Sequence, residues 1–236
     1  MKIAIHQPQY FPWPPYVHKV MSADIFVYLD TVQFSKNGVQ NRNQIKTVQG
    51  AQWLTVPVKH ELGRSIRETE IADPKFTSKH WKTLQANYAR TIGFQLWKDE
   101  LHDLFDREWQ TLSDVAIAST EWMIEKLGIS NKRLRASEIS GVQGQASALV
   151  ASICEALKGD QYLTGTGALA YLEPNDFKRI GCDVKVQRWT AFSYSQTHTE
   201  TGFVPDLSTL DLLLNDPDSA AKLISGAGGW EALPGE

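Results

Sequence analysis

The sequence predicts an α/β protein built on a Rossmann-like, doubly wound, mainly parallel sheet, with a β-hairpin insertion and a helical block. Two short β-branched or aromatic runs, residues 2–5 and 25–30, leave room between them for one helix, which is the spacing of a parallel βαβ pair. Strand-like and helix-like segments alternate again over residues 133–189. Between these two stretches lie a polar turn flanked by strand-like runs and a long segment at helical spacing.

Taken in order, residues 2–5 form the first strand and 16–21 the first helix. Four prolines (Pro8, Pro12, Pro14, Pro15) stiffen the connection, because each fixes its own φ and restricts its predecessor. Residues 25–30 form the second strand. Residues 42–58 read as two strands around Gln49-Gly50. Residues 80–128 read as helical, with Trp81, Leu84 and Tyr88, then Leu101, Leu104, Phe105 and Trp109, then Val115, Trp122 and Ile124 at helical spacing. Their aromatic stripes suit a core better than a ligand box. Further strands follow at 133–140, 160–165 and 183–189, with helices at 145–157 and 174–180, the latter stopped by Gly181. The resulting organisation is a sheet domain from 1–72 and 129–216, a helical insertion at 73–128, and a tail at 217–236 that is loosely ordered from 226.

Composition narrows the function. A chain of 236 residues buries enough surface to fold without staples. Its two cysteines, Cys154 and Cys182, have no metal-site spacing and read as buried thiols of a reducing compartment. A net charge of -3 argues against a nucleic-acid partner. The sequence shows neither a signal-peptide pattern nor an apolar run long enough to span a membrane, so a cytoplasmic location is expected.

In open parallel sheets ligands sit beyond the carboxyl ends of the strands, where strand order reverses. His6 and Gln7 leave the first strand, Asp30 leaves the second, and Gly165, Thr166 and Gly167 leave the strand at 160–165. In the order 3-2-1-4-5, His6 would face Gly165–Gly167 across one crevice. A histidine there suits a general base, oriented by Asp30, although a lone histidine at a strand end is as often a core residue. The glycine turn either approaches a ligand closely or is a plain turn. A second polar concentration holds Gln33, Lys36, Asn37, Gln40, Asn41, Arg42, Asn43 and Lys46. Its amides suit sugar hydroxyls and its cations suit phosphate, whereas the bland alternative is a solvated loop. Tyr10, Phe11 and Trp13 either form a lip over the crevice, with Tyr10 then contacting substrate, or pack beneath it, and packing is slightly favoured. His18, His60, His80, His102 and His198 have no comparable case, and no metal site is anticipated.

The segments "IHQPQYFPW", "LDTVQFSKNGVQNRNQIKT", "QWLTVPV", "GDQYLTGTGALAYLEPNDF" and "VPDLSTLDLLLN" resemble the WbqC-like family in family order, from residue 1 to about 216. Pro15 departs from the glycine expected there. The resemblance implies a setting in bacterial gene clusters for O-antigen and other surface glycans, and with it acylation or aminoacylation of a sugar amine. A fainter likeness is to nucleotidylyltransferases with an HxGH motif, but that histidine pair is missing and His18 stands alone.

The expected activity is therefore transfer of an acyl or aminoacyl group to the amine of a nucleotide-linked amino sugar. His6 would be the base. Gln7, Asn41 and Asn43 would bind hydroxyls or the oxyanion, and Arg42 and Lys46 would hold phosphate. No residue stands out as a covalent nucleophile, so transfer is direct. No resident cofactor is expected; the acyl donor would be carried on coenzyme A or an acyl-carrier protein. The alternatives are nucleotidyl or glycosyl transfer on sugar nucleotides, and a non-catalytic component that binds a sugar nucleotide or carrier.

Overall fold

The computed structural model describes residues 1–36 and 38–233. Asn37 of the polar loop and the last three residues of the expected tail lie outside the described residues. The architecture is mixed α/β, with a mostly parallel six-stranded sheet and a separate two-stranded antiparallel hairpin.

The sheet is built from β1 (Lys2–His6), β2 (Ile25–Tyr28), β5 (Lys132–Arg135), β6 (Gln161–Thr164), β7 (Asp183–Trp189) and β8 (Gly228–Ala232). Its order is β5-β2-β1-β6-β7-β8. All neighbouring pairs are parallel except β7 with β8. From the central pair β1 and β6 the chain winds outward on both sides, so strand order reverses between them. The hairpin consists of β3 (Arg42–Thr47) and β4 (Gly50–Thr55). Gly50 turns it at a φ of 93°, a region that glycine enters without steric cost.

Both faces of the sheet are covered, which is why the parallel strands are apolar in both directions. On one face Ile3, Ile5, Ile25 and Val27 pack against α5 (Ala146–Ala156) and α6 (Pro174–Arg179) through Val150, Ile153 and Phe177. On the other, Ala4, Phe26 and Leu163 meet α1 (Pro14–Ser22) and α4 (Leu112–Lys126) through Tyr16, Val20, Ile117 and Ile124. Cys154 and Cys182 are free thiols buried in the first of these layers.

The helical block comprises α2 (Phe76–Tyr88), α3 (Ile92–Asp106) and α4. Its stripes are core, as their spacing suggests: Leu84, Tyr88, Leu101, Leu104, Phe105 and Val115 are buried together with Ile45 and Leu54 of the hairpin. Two strands end well short of expectation. β2 stops at Tyr28, before Asp30, and β5 gives way at Ala136 to a 3-10 turn.

The expected tail is the larger correction. After α7 (Thr209–Asn215), residues 217–232 of that tail form α8 (Pro217–Ala227) and the antiparallel edge strand β8. Small residues there read as a loose end, but at Gly228 the absent side chain is what admits the strand. A Cβ at Gly228 would lie 2.2 Å from Nε2 of His18. That ring cannot swing away easily: Gln187 Nε2 donates to its Nδ1 over 2.9 Å, and it stacks on Trp230 at 5.5 Å. Gly228→Ala is expected to cost about 1–3 kcal/mol through overpacking. A lowered urea midpoint at unchanged slope is the signature; an unchanged midpoint refutes it.

Candidate functional site

A cavity of about 760 Å³ opens beyond the carboxyl ends of β1 and β6, within the usual size range of a small-molecule site. His6, Gln7, Gly165, Thr166 and Gly167 line it, so the crevice expected from strand order brings these five together. α1 supplies Tyr16 and Lys19, and the hairpin supplies Asn43 and Trp53.

The connection from β1 to α1 is held rigidly. Phe11 sits at a φ of 43°. Its N–H donates to Ser119 Oγ at 2.9 Å, and its carbonyl accepts from Asn43 Nδ2 at 2.8 Å and Ser208 Oγ at 2.6 Å. Tyr10 and Phe11 pack into the core, and Tyr10 Oη bonds to Nδ1 of His80 at 2.9 Å, so Tyr10 braces the loop and does not reach the cavity. Trp13 alone of the three aromatic residues stays at the rim, 38% exposed. Pro14 and Pro15 occupy the first turn of α1, where a missing N–H is not felt.

His6 is half-buried in the wall, with Nδ1 3.1 Å from the Gln7 carbonyl oxygen. A carbonyl only accepts, so Nδ1 carries the proton and Nε2 keeps its lone pair. The Tyr16 ring meets the imidazole edge-on at 4.7 Å. Burial, then the nearby Lys19 ammonium, drives the His6 pKa down to about 3 against the opposing pull of the Gln7 bond. The imidazole is neutral at pH 7.

Gln7 is oriented by a chain of amides. Ser35 N–H donates to Gln40 Oε1 at 3.0 Å, which leaves Gln40 Nε2 to donate to Gln7 Oε1 at 2.7 Å. Among the described residues the NH₂ of Gln7 has no partner, which leaves it a donor at the cavity wall. Gln40 itself is buried behind Gln7 and positions it instead of meeting substrate.

Asp30 does not orient His6. Its carboxylate accepts from Ser137 N–H at 3.0 Å and from Ser137 Oγ–H at 2.7 Å. With β2 ending two residues earlier, the side chain turns toward the β5 side and pins the 3-10 turn there.

The polar loop divides in the same way. Asn41 Nδ2 donates to the Val56 carbonyl at 2.9 Å and Lys46 Nζ donates to the Gly202 carbonyl at 2.5 Å; neither lines the cavity. Gln33 and Lys36 are exposed outside it. Arg42 places its guanidinium over the Trp53 ring, 4.7 Å from the centroid. Asn43 reaches the cavity, although its amide is also tied to the backbone of Phe11 and Gln44.

Sequence reasoning passed over Lys19. It is 5% exposed, lines the cavity, and burial alone lowers its pKa to about 7. The legible signal was α1 itself, a helix with seven of its nine residues buried, in which a lysine has no solvated side to take. Gln9 was passed over as well: it is buried in the same wall with an Oε1 that has no partner among the described residues. Among those residues no group of three or more His, Cys, Asp or Glu side chains could hold a metal ion, and no helix is long and apolar enough to cross a membrane.

The model of the WbqC-like protein family matches residues 7–223. The chain is a member of the WbqC-like protein family. It is also 32% identical over 219 residues to a Mycobacterium tuberculosis protein named "Uncharacterized protein Rv1507c", covering 91% of this chain and 93% of that one. No solved structure matches. The family match thus begins at Gln7, inside the rigid connection, and spans every residue given above as lining the cavity of this WbqC-like chain except His6, which ends β1 just before it.

Proposed function

We propose that this WbqC-like protein is a transferase of bacterial surface-polysaccharide biosynthesis, moving an acyl or aminoacyl group onto the amine of a nucleotide-linked amino sugar. The observation that carries this reading is a neutral imidazole with its Nε2 lone pair fixed, beside the unused NH₂ of Gln7, in a cavity large enough for such a ligand. The sugar amine attacks the donor's carbonyl carbon, and His6 Nε2 takes the proton that the nitrogen sheds. Gln7 donates to the carbonyl oxygen as it gains negative charge. The bond to the leaving thiol or alcohol then breaks, and that group recovers the proton from His6. Coenzyme A or an acyl-carrier protein would deliver the acyl group. The buried thiols Cys154 and Cys182 are not on the cavity, which favours direct transfer over a covalent enzyme intermediate.

The low basicity of His6 favours a second reading, a non-catalytic component that binds a sugar nucleotide. Incubation with a panel of amino-sugar nucleotides and acyl or aminoacyl donors separates the two. The transferase gives a mass gain on the sugar equal to the acyl group. Ligand-induced shifts in melting temperature with no mass gain across the panel decide for binding alone.

A further inference from the structure

We propose that Lys19, next to Gly165, forms a subsite for a phosphate group, and that the ligand of this cavity is a nucleotide-type phosphate ester. The other buried lysine shows what a structural role requires: Lys46 is 1% exposed and gives its ammonium to the Gly202 carbonyl. Even the half-buried Lys126 pairs with Glu100 and Glu125. Lys19 is 5% exposed, yet among the described residues its Nζ has neither a hydrogen bond nor an ion pair. What it has is the face of the Tyr16 ring at 5.9 Å. An ammonium left this way is costly to bury unless something anionic meets it.

The surroundings say what that something is. Among the described residues Asp206 is the one carboxylate lining the cavity, and none opposes the effect of burial on Lys19. Gly165 leaves the ammonium approachable: a Cβ there would sit 3.5 Å from Nζ, and a larger side chain would occupy the space in front of it. A lysine ammonium is a compact point charge with three donors, suited to phosphate oxygens. At the open end, Trp13 and Trp53 are 38% and 44% exposed; one face of the Trp53 ring carries the Arg42 guanidinium, and Trp13 offers its ring to a planar base. Cation inside and aromatic rings at the mouth fit a nucleotide with its phosphates pointing inward.

This subsite deepens the transferase reading, because a bound phosphate would offset the charge that helps to keep His6 unprotonated. Its test needs no turnover. Calorimetric titration compares uridine diphosphate with uridine, and phosphopantetheine with pantetheine, so the arms distinguish a sugar-nucleotide phosphate from that of an acyl carrier. In the wild type uridine diphosphate is expected to bind about ten- to a hundredfold more tightly than uridine, whereas a preference shown by phosphopantetheine alone overturns the nucleotide assignment. Lys19→Met should erase that preference, Lys19→Arg should retain most of it, and Gly165→Val should erase it with the charge still present. The Gly165 variant decides the matter should Lys19→Met fail to fold. Equal binding of both members of each pair by the wild type overturns the proposal, as does a preference that survives Lys19→Met or Gly165→Val. A His6→Ala protein that keeps the preference but makes no product leaves the subsite standing apart from the catalytic reading.

Discussion

Replacing His6 by alanine is expected to lower turnover by about 10²- to 10⁴-fold, the usual worth of a positioned general base, while ligand affinity changes by no more than about threefold. The expectation follows from the tautomer: the Gln7 carbonyl fixes the proton on Nδ1, so Nε2 is the one nitrogen able to accept another. The pH profile carries the same information. With its pKa lowered to about 3, His6 is in its basic form throughout the neutral range, so kcat/KM should show no acid limb between pH 5 and 7 from this residue. Lys19, lowered to about 7, is charged below that pH and neutral above it, so kcat/KM should fall as pH rises through about 7. Because Lys19 is the second cause of the His6 shift, Lys19→Met should move the His6 titration upward, which imidazole NMR would read directly. Turnover within threefold of wild type in His6→Ala would remove the base from the mechanism.

The largest loss of stability is expected at Asp211, remote from the cavity. Its carboxylate gathers three elements: Oδ1 accepts from Tyr88 Oη of α2 and, at 3.0 Å, from Lys46 N–H of β3, and Oδ2 accepts from Tyr194 Oη at 2.7 Å. The residue is fully buried. Asp211→Ala would leave the buried Tyr88 phenol and the half-buried Tyr194 phenol without their acceptor and leave the Lys46 N–H only Tyr88 Oη to donate to, at about 3–5 kcal/mol, a large share of the stability of an ordinary domain. Asp211→Asn keeps an acceptor and should cost far less. The two variants also differ in pH response. Burial raises the Asp211 pKa above its ordinary 3.8, so the folded state binds a proton more readily than the unfolded chain. That contribution is present at low pH and is lost as pH rises through the raised value. Asp211→Asn should therefore flatten this part of the stability profile. Urea unfolding of both variants between pH 4 and 8 tests the assignment; equal midpoints for Asp211→Ala and wild type would refute it.

How much of this was legible depends on where each residue's partners lie along the chain. β7 could be read at its true limits because alternation and the turn at Gly181 are local. His6, Gln7 and the Gly165–Gly167 turn could be placed together because strand order follows from βαβ winding. Asp30 could not be assigned, since a carboxylate at a strand end can turn to either neighbour, and Ser137 offered both an N–H and an O–H. The polar loop looked like one binding surface. In the fold, Gln40 turns inward to hold Gln7, and Asn41 and Lys46 turn inward to hold backbone carbonyls.

The sequence by itself determined the parallel sheet, the position of its switch point, the stiff proline connection and the family. Those depend on periodicity, backbone restriction and residue order, all of which are carried along the chain. Tertiary structure alone decided that Gly228 lets an edge strand close over His18, and that α1 buries Lys19 in the wall of the cavity. A lysine reads as solvated until packing on every side removes the water, and only then does its missing partner mark a place for a ligand.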